Sequence, residues 1–156
     1  METTLREPTS FADLAVVRLL FEEYRASLGV DLCFQGFDEE LATLPGEYGR
    51  SRGGLWLAMA DAQAAGCAGL RPFENDACEM KRLYVRQRHR GKGLGRRLAE
   101  TVVQAAKKLG YRRMFLDTLA NMAEATTLYR DLGFREREPY RHDPLSGVIY
   151  FELDLT

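Results

Sequence analysis

Cysteine, histidine and tryptophan are scarce in this chain, and the scarcity excludes several chemistries. Three cysteines (Cys33, Cys67, Cys78) and two histidines (His89, His142) stand among 156 residues without metal-ligand spacing, so no metal site is expected. An odd number of cysteines offers no disulfide framework, and reduced thiols suit a cytoplasmic protein. No histidine lies near Cys78 in sequence, which leaves a thiolate nucleophile there without its usual activator. Long apolar runs are missing too. None approaches the ~20 residues that cross a bilayer, and Met1-Glu2-Thr3-Thr4 lacks the basic and apolar parts of a secretory leader. Neither charge sign dominates: 22 Lys and Arg face 23 Asp and Glu, a net charge of −1. Nothing in that balance recommends nucleic acid or a membrane surface as a partner.

What is present reads as one globular domain over residues 1–156, with 46% apolar and 29% charged residues. Thr3 to Glu7 is a short strand candidate closed by Pro8. Phe11, Leu14, Val17, Leu20, Phe21 and Tyr24 recur at helical spacing behind a Ser10 cap, so residues 11 to 28 form an amphipathic helix ended by Gly29. A short helix is expected from Asp38 to about Leu44. Strands at 55–60, 65–70 and 78–85 make an antiparallel meander. A strand at 113–119 and a helix from about Met122 to Leu132 follow, then two strands at 134–140 and 148–155. No repeat, linker or low-complexity segment interrupts this order. The fold class is mixed α/β, with its strands grouped as hairpin, crossover, hairpin.

The stretch from Leu83 to Leu98 organises the chain. An apolar strand end, Leu83-Tyr84-Val85, runs into a basic loop with glycines at Gly91, Gly93 and Gly95. Leu94, Leu98, Val102, Ala105 and Leu109 then mark a helix from near Gly93 to before Gly110. Glycines at a helix start let a ligand approach the backbone, and the unpaired N–H groups of the first turn point at it. Together with the helix dipole they make a site for phosphate. Arg90, Lys92, Arg96 and Arg97 add positive charge. Two other phosphate motifs fail on spacing: Gly91-Lys92 is followed by Gly93 rather than Ser or Thr, and the glycines run G-x-G-x-G rather than G-x-G-x-x-G. Asp117 stands roughly twenty residues on, where a dinucleotide fold would put a ribose-binding acid. Hairpins precede this loop, however, not the first unit of a parallel sheet.

Arg90-x-x-Gly93-x-Gly95 resembles the acyl-coenzyme A signature of the GNAT superfamily of N-acetyltransferases, Gln/Arg-x-x-Gly-x-Gly/Ala. Cys78 to Val85 looks like that family's fourth strand, and Leu128-Tyr129-Arg130-Asp131-Leu132-Gly133-Phe134 resembles its LYxxxGF block. The three blocks stand in the family's order and spacing. The resemblance implies a single GNAT-like domain whose mixed, mostly antiparallel sheet has a splayed central strand pair flanked by helices. It implies acetyl-CoA as co-substrate, without a metal. Its pantetheine arm would pair with the backbone at Leu83, Tyr84 and Val85, and its pyrophosphate would lie on Arg90, Gly91, Lys92, Gly93, Leu94, Gly95 and Arg96. The Leu83 N–H would hold the oxyanion that forms during transfer.

Direct transfer to an amine needs a neutral nucleophile and a proton for the departing thiolate. Glu79 stands six residues before Val85, the spacing at which histone acetyltransferases of the superfamily carry their base. Burial in a strand would raise its pKa and make it a better proton acceptor. Its other reading is an ion pair with Lys81 or a neighbouring strand. Tyr129 matches the tyrosine that protonates the coenzyme sulfur in many relatives; its other reading is a core aromatic. Relatives often carry Asn seven residues before that tyrosine, where this chain has Met122; Asn121 stands one position off as a coenzyme contact. His89 is expected in solvent and His142 near the acceptor.

The implied activity is transfer of an acetyl group to a primary amine in a ternary complex. A small-molecule amine is favoured over a protein as acceptor, and a homodimer is left open. A non-catalytic acetyl-CoA sensor would keep the glycine loop yet need neither Glu79 nor Tyr129. Nucleic-acid binding through Arg86, Arg88, Arg90, Lys92, Arg96 and Arg97 lacks interleaved aromatics. Acceptor choice falls to residues 29–37 and 139–147, with Phe34, Phe37, Tyr140, Asp31, Arg141 and Asp143.

Overall fold

Ser10 starts the first long helix by accepting a hydrogen bond from the Asp13 N–H at 3.1 Å, and Gly29, at φ 66°, ends it in the left-handed conformation. The computed structural model describes residues 2–29, 36–49, 51–142 and 145–156. Phe34, Asp31, Cys33 and Asp143 of the sequence reading lie outside them. The described elements are β1 (Thr3–Arg6), α1 (Phe11–Leu28), α2 (Phe37–Ala42), β2 (Gly54–Ala60), β3 (Gln63–Pro72), β4 (Ala77–Val85), α3 (Leu94–Lys108), β5 (Arg113–Leu119), α4 (Ala123–Asp131), β6 (Arg135–Arg137) and β7 (Val148–Asp154). Two 3-10 turns, Gly46–Gly49 and Gln87–His89, precede β2 and α3.

The strands form one sheet in the order β1-β2-β3-β4-β5-β7-β6. All neighbours are antiparallel except β4 and β5. That parallel pair is what the crossover through α3 produces. Its apolar stripe, Leu94, Leu98, Val102 and Ala106, packs on one face of the sheet against Met80, Met114 and Leu116. On the other face Val17, Leu20 and Phe21 of α1 pack with Phe37, Leu57 and Cys67. Each such Leu or Phe, fully buried, contributes about 1.5–3 kcal/mol.

Two irregularities of β4 shape everything that follows. Its pairing with β5 covers only Ala77–Arg113, Cys78–Met114 and Glu79–Phe115. Past Glu79, β4 continues to Val85 beside β3 while β5 continues to Leu119 beside β7. The two strands therefore part like a fork. Second, Cys67 pairs with Tyr84 but Gly69 pairs with Lys81, so β4 carries one extra residue, and Arg82 sits there at φ 60°. This β-bulge interrupts the alternation of faces. Lys81 and Arg82 consequently project to the same side, the side of α1 and α2. Gly66, opposite Val85, is where β3 comes closest: a Cβ there would stand 2.5 Å from the Tyr84 carbonyl oxygen.

The strand expected over 134–140 stops at Arg137. Pro139 has no N–H to continue a ladder, and Tyr140 leaves the sheet to fold back over β4 and β5. Its ring stacks on Phe115 at 5.0 Å and meets Phe73 edge-on at 5.2 Å.

Candidate active site

The glycine loop and the start of α3 fit an anion. Gly91 and Gly93 hold φ of 78° and 80°, and Gly93 is the N-cap of α3 with no side-chain cap bond. No acidic residue occupies the first turn, and a Cβ on Gly91 or Gly93 would meet nothing within 4 Å. The first turn of α3 thus has no side-chain cap and the space beside both glycines is open, which suits a pyrophosphate. The surrounding cations are more committed than a solvated run would be. Arg90 Nε donates to the Val85 carbonyl at 2.8 Å, tying the loop to the end of β4. Arg97 bonds the Thr3 hydroxyl, Arg88 bonds Gln63, and Arg86 grips Glu23 at 2.9 and 2.7 Å. His89, expected in solvent, is buried, and its Nδ1 has no hydrogen-bond partner among the described residues. Burial and the cations Arg88, Lys92 and Arg86 lower its pKa.

The fork between β4 and β5 opens a narrow cavity of about 40 Å³, with Lys81, Leu83, Asp117, Thr118, Met122 and Tyr129 among its walls. Leu83 has no register partner in β3 or β5 among the described residues. Tyr129, on α4, packs its ring against Phe134 and Phe151 at 5.8 and 5.9 Å. Burial raises the pKa of its phenol, with Tyr24 and Asp117 adding to the effect, so the hydroxyl stays protonated. Met122 lines the fork, whereas Asn121 is exposed in the turn before α4. A wider concavity of about 740 Å³, between Glu7–Phe11 and Tyr48–Leu55, brings together none of the candidate residues.

Glu79 overturns the expectation of a raised pKa. It is fully buried, yet Arg71 Nε donates to its Oε1 at 3.0 Å, and the Tyr140 hydroxyl and Arg141 donate to its Oε2 at 2.6 and 2.5 Å. Lys81 Nζ stands 3.8 Å away. Desolvation alone would push the carboxyl up, but the charges of Lys81, Arg71 and Arg141 and the Tyr140 hydrogen bond hold it down at about 2. A carboxylate so stabilised is a poor proton acceptor.

Lys81, Asp117, Tyr140 and Arg141 complete the cluster, and sequence reasoning gave Lys81 and Asp117 no site role. Lys81 Nζ lies 3.7 Å from Asp117 Oδ1, reaching across the mouth of the fork. Burial lowers its pKa to about 8 against the pull of Glu79 and Asp117, and Arg82 and Arg71 lower it further. The one available signal was alternation, since Glu79 and Lys81 share a strand face. Cys78 is buried with its thiol pushed up to about 12 by burial, so it stays a thiol. His142 is exposed.

Residues 15–134 match the family model described as the acetyltransferase (GNAT) family. An uncharacterized N-acetyltransferase of Schizosaccharomyces pombe is 41% identical over 146 residues, covering 92% of this chain and 90% of that protein. Among solved structures, a GNAT-family acetyltransferase of Staphylococcus aureus superposes with TM-score 0.80 at 20% identity, over 99% of this chain and 100% of that one. The PaiA N-acetyltransferase of Thermoplasma acidophilum, in complex with coenzyme A, superposes with TM-score 0.74 at 19% identity, over 99% of each chain.

Proposed function

Because the chain belongs to the GNAT acetyltransferase family and is an acetyl-CoA-dependent acetyltransferase, we propose that it moves the acetyl group directly to a primary amine of an acceptor while both substrates are bound. The observation that carries this reading is the fork. It brings the stretch of β4 backbone that β5 leaves unpaired, the Tyr129 phenol and the Lys81–Asp117 ion pair around one narrow opening. The bound coenzyme supplies an activated acyl thioester. The N–H groups of the loop from Arg90 to Arg96 hold its pyrophosphate, and the backbone of Leu83, Tyr84 and Val85 holds its arm as an added strand would. The Leu83 N–H, outside both ladders, stabilises negative charge on the carbonyl oxygen. Tyr129 delivers a proton to the departing sulfur. Glu79 enters as an anchor that holds Arg71, Lys81 and Arg141 in place, and deprotonation of the acceptor falls to other groups.

The test is incubation with acetyl-CoA and a panel of primary amines, reading free thiol and acetylated amine together. Equal release of both is expected. Acetyl-CoA binding without product from any amine would overturn the enzymatic reading in favour of a coenzyme-binding module.

A further inference from the structure

Among the described residues, the ion pairs around Glu79 join more cations than carboxylates. One fully buried carboxylate receives Arg71 at 3.0 Å, Arg141 at 2.5 Å and Lys81 at 3.8 Å. Extending outward adds Arg82 with Glu40, and Asp117 with Lys81 and Arg141. Among the described residues the ion pairs of this cluster then join four cations to three carboxylates. Buried charge left uncompensated is costly, and low surrounding polarity magnifies the cost. Burial is the main cause of the lowered pKa of Lys81, and Arg82 and Arg71 add to it.

Exposure says where compensation can enter. The Glu79 side chain is 0% exposed, while the side chains of Arg71 and Arg141 keep 19% and 20% of their surface open. Solvent therefore meets the arginine side chains there, not the carboxylate between them. One acidic atom lies beside them: Asp117 lines the fork cavity, and its Oδ2 is buried without a hydrogen-bond partner among the described residues, 3.7 Å from Arg141 Nη1. An acceptor without a hydrogen bond and a partly exposed arginine thus stand side by side where β4 and β5 part.

Resting on the acetyltransferase reading above, we propose that the acceptor is an α-amino acid with a free carboxylate, which Arg141 and Arg71 receive while Asp117 Oδ2 takes a hydrogen bond from its amino group. An α-amino acid carries both groups on one carbon, so its charges have the short separation that this pair of protein charges presents. Guanidinium binds carboxylate in a planar, two-pronged geometry. The carboxylate supplies the missing negative charge, and the amine is left beside the fork where Leu83 and Tyr129 meet. The aromatic shelf of Phe73, Phe115 and Tyr140 keeps Arg141 in place, its guanidinium lying 5.0 Å from the Tyr140 ring centroid.

The experiment measures kcat/KM with acetyl-CoA for aliphatic, aromatic and sulfur-containing amino acids, each beside its carboxamide and its decarboxylated amine. At least one free acid should exceed its amide and amine on the order of a hundredfold or more, because those analogues leave the site's charged groups without their partner. In Arg141→Gln that preference should shrink through KM for the acid, and Arg141→Lys should restore part of it. If amines or amides are acetylated as well as the acids or better, this inference falls and the acetyltransferase reading stands. A preference for the amides would point instead to peptide N-termini. If no acceptor releases thiol although acetyl-CoA binds, the acetyltransferase reading falls, and this inference falls with it. The substrate series on the unmodified protein decides the matter even if the Arg141 variants fold poorly.

Discussion

The Arg141 guanidinium lies 2.5 Å from Glu79 Oε2 and 3.7 Å from Asp117 Oδ2. One loop residue thereby ties a carboxylate of β4 to a carboxylate of β5 just where those strands part. The arrangement gives the opening a charged rim on the side of α1 and α2, with the glycine loop and α3 on the other.

Tyr129→Phe should slow acetyl transfer on the order of a hundredfold, the usual size of general-acid help. Coenzyme affinity should stay close to that of the unmodified protein, because the hydroxyl acts on the departing sulfur and not on the ground state. Steady-state turnover beside calorimetric titration with CoA separates the two. An unaltered rate would reduce Tyr129 to its packing against Phe134 and Phe151.

Gly93→Val should weaken CoA binding on the order of tenfold or more, about 1.4 kcal/mol. The space above Gly93 is open, so the added side chain would enter the volume assigned to the pyrophosphate. A residue with a β-branch also resists the left-handed conformation at φ 80°, so a thermal melt should accompany the titration. Unchanged affinity in folded protein would remove the phosphate from this loop.

Glu79→Gln should lower activity by a similar factor at every working pH, since the carboxyl it replaces is held at about 2 and is ionised throughout. Stability should respond at low pH instead. A carboxyl depressed in the fold stabilises it above the unfolded value near 4.3, and that contribution drains away as pH falls through this value towards about 2. The Tm gap between the two proteins should therefore be widest above pH 5 and close on acidification. A rate deficit that shrinks as pH rises would restore Glu79 as the base.

Arg82→Leu should cost about 3–5 kcal/mol in denaturant unfolding, the penalty for stranding a buried charge. Arg82 donates to both oxygens of Glu40 at 3.0 Å, with its side chain 2% exposed. The double change Arg82→Leu with Glu40→Gln should recover part of the loss. A single variant as stable as the unmodified protein would show that Arg71 and Tyr48 suffice for Glu40.

Much of this protein was legible in its residues alone, and for a local reason. Helical spacing from Phe11 to Tyr24 and from Leu94 to Leu109, the Ser10 cap, and the glycines before α3 are short-range patterns that steric rules and hydrogen bonding turn directly into elements. Those patterns are enough for the order of elements, the crossover and the glycine turn that starts α3. Tertiary structure decided what depends on distant residues meeting. The insertion of β7 between β5 and β6 is one such outcome. The extra residue in β4 is another: it turns Arg82 to the same face as Lys81, which strict alternation forbids. The charge state of Glu79 is the clearest case. Burial alone argues for a raised pKa, but Lys81 on the same strand face, joined by Arg71, Arg141 and Tyr140 from 8, 62 and 61 residues away, reverses the sign. A strand's sequence carries its own burial; it does not carry the field of the loop that folds over it.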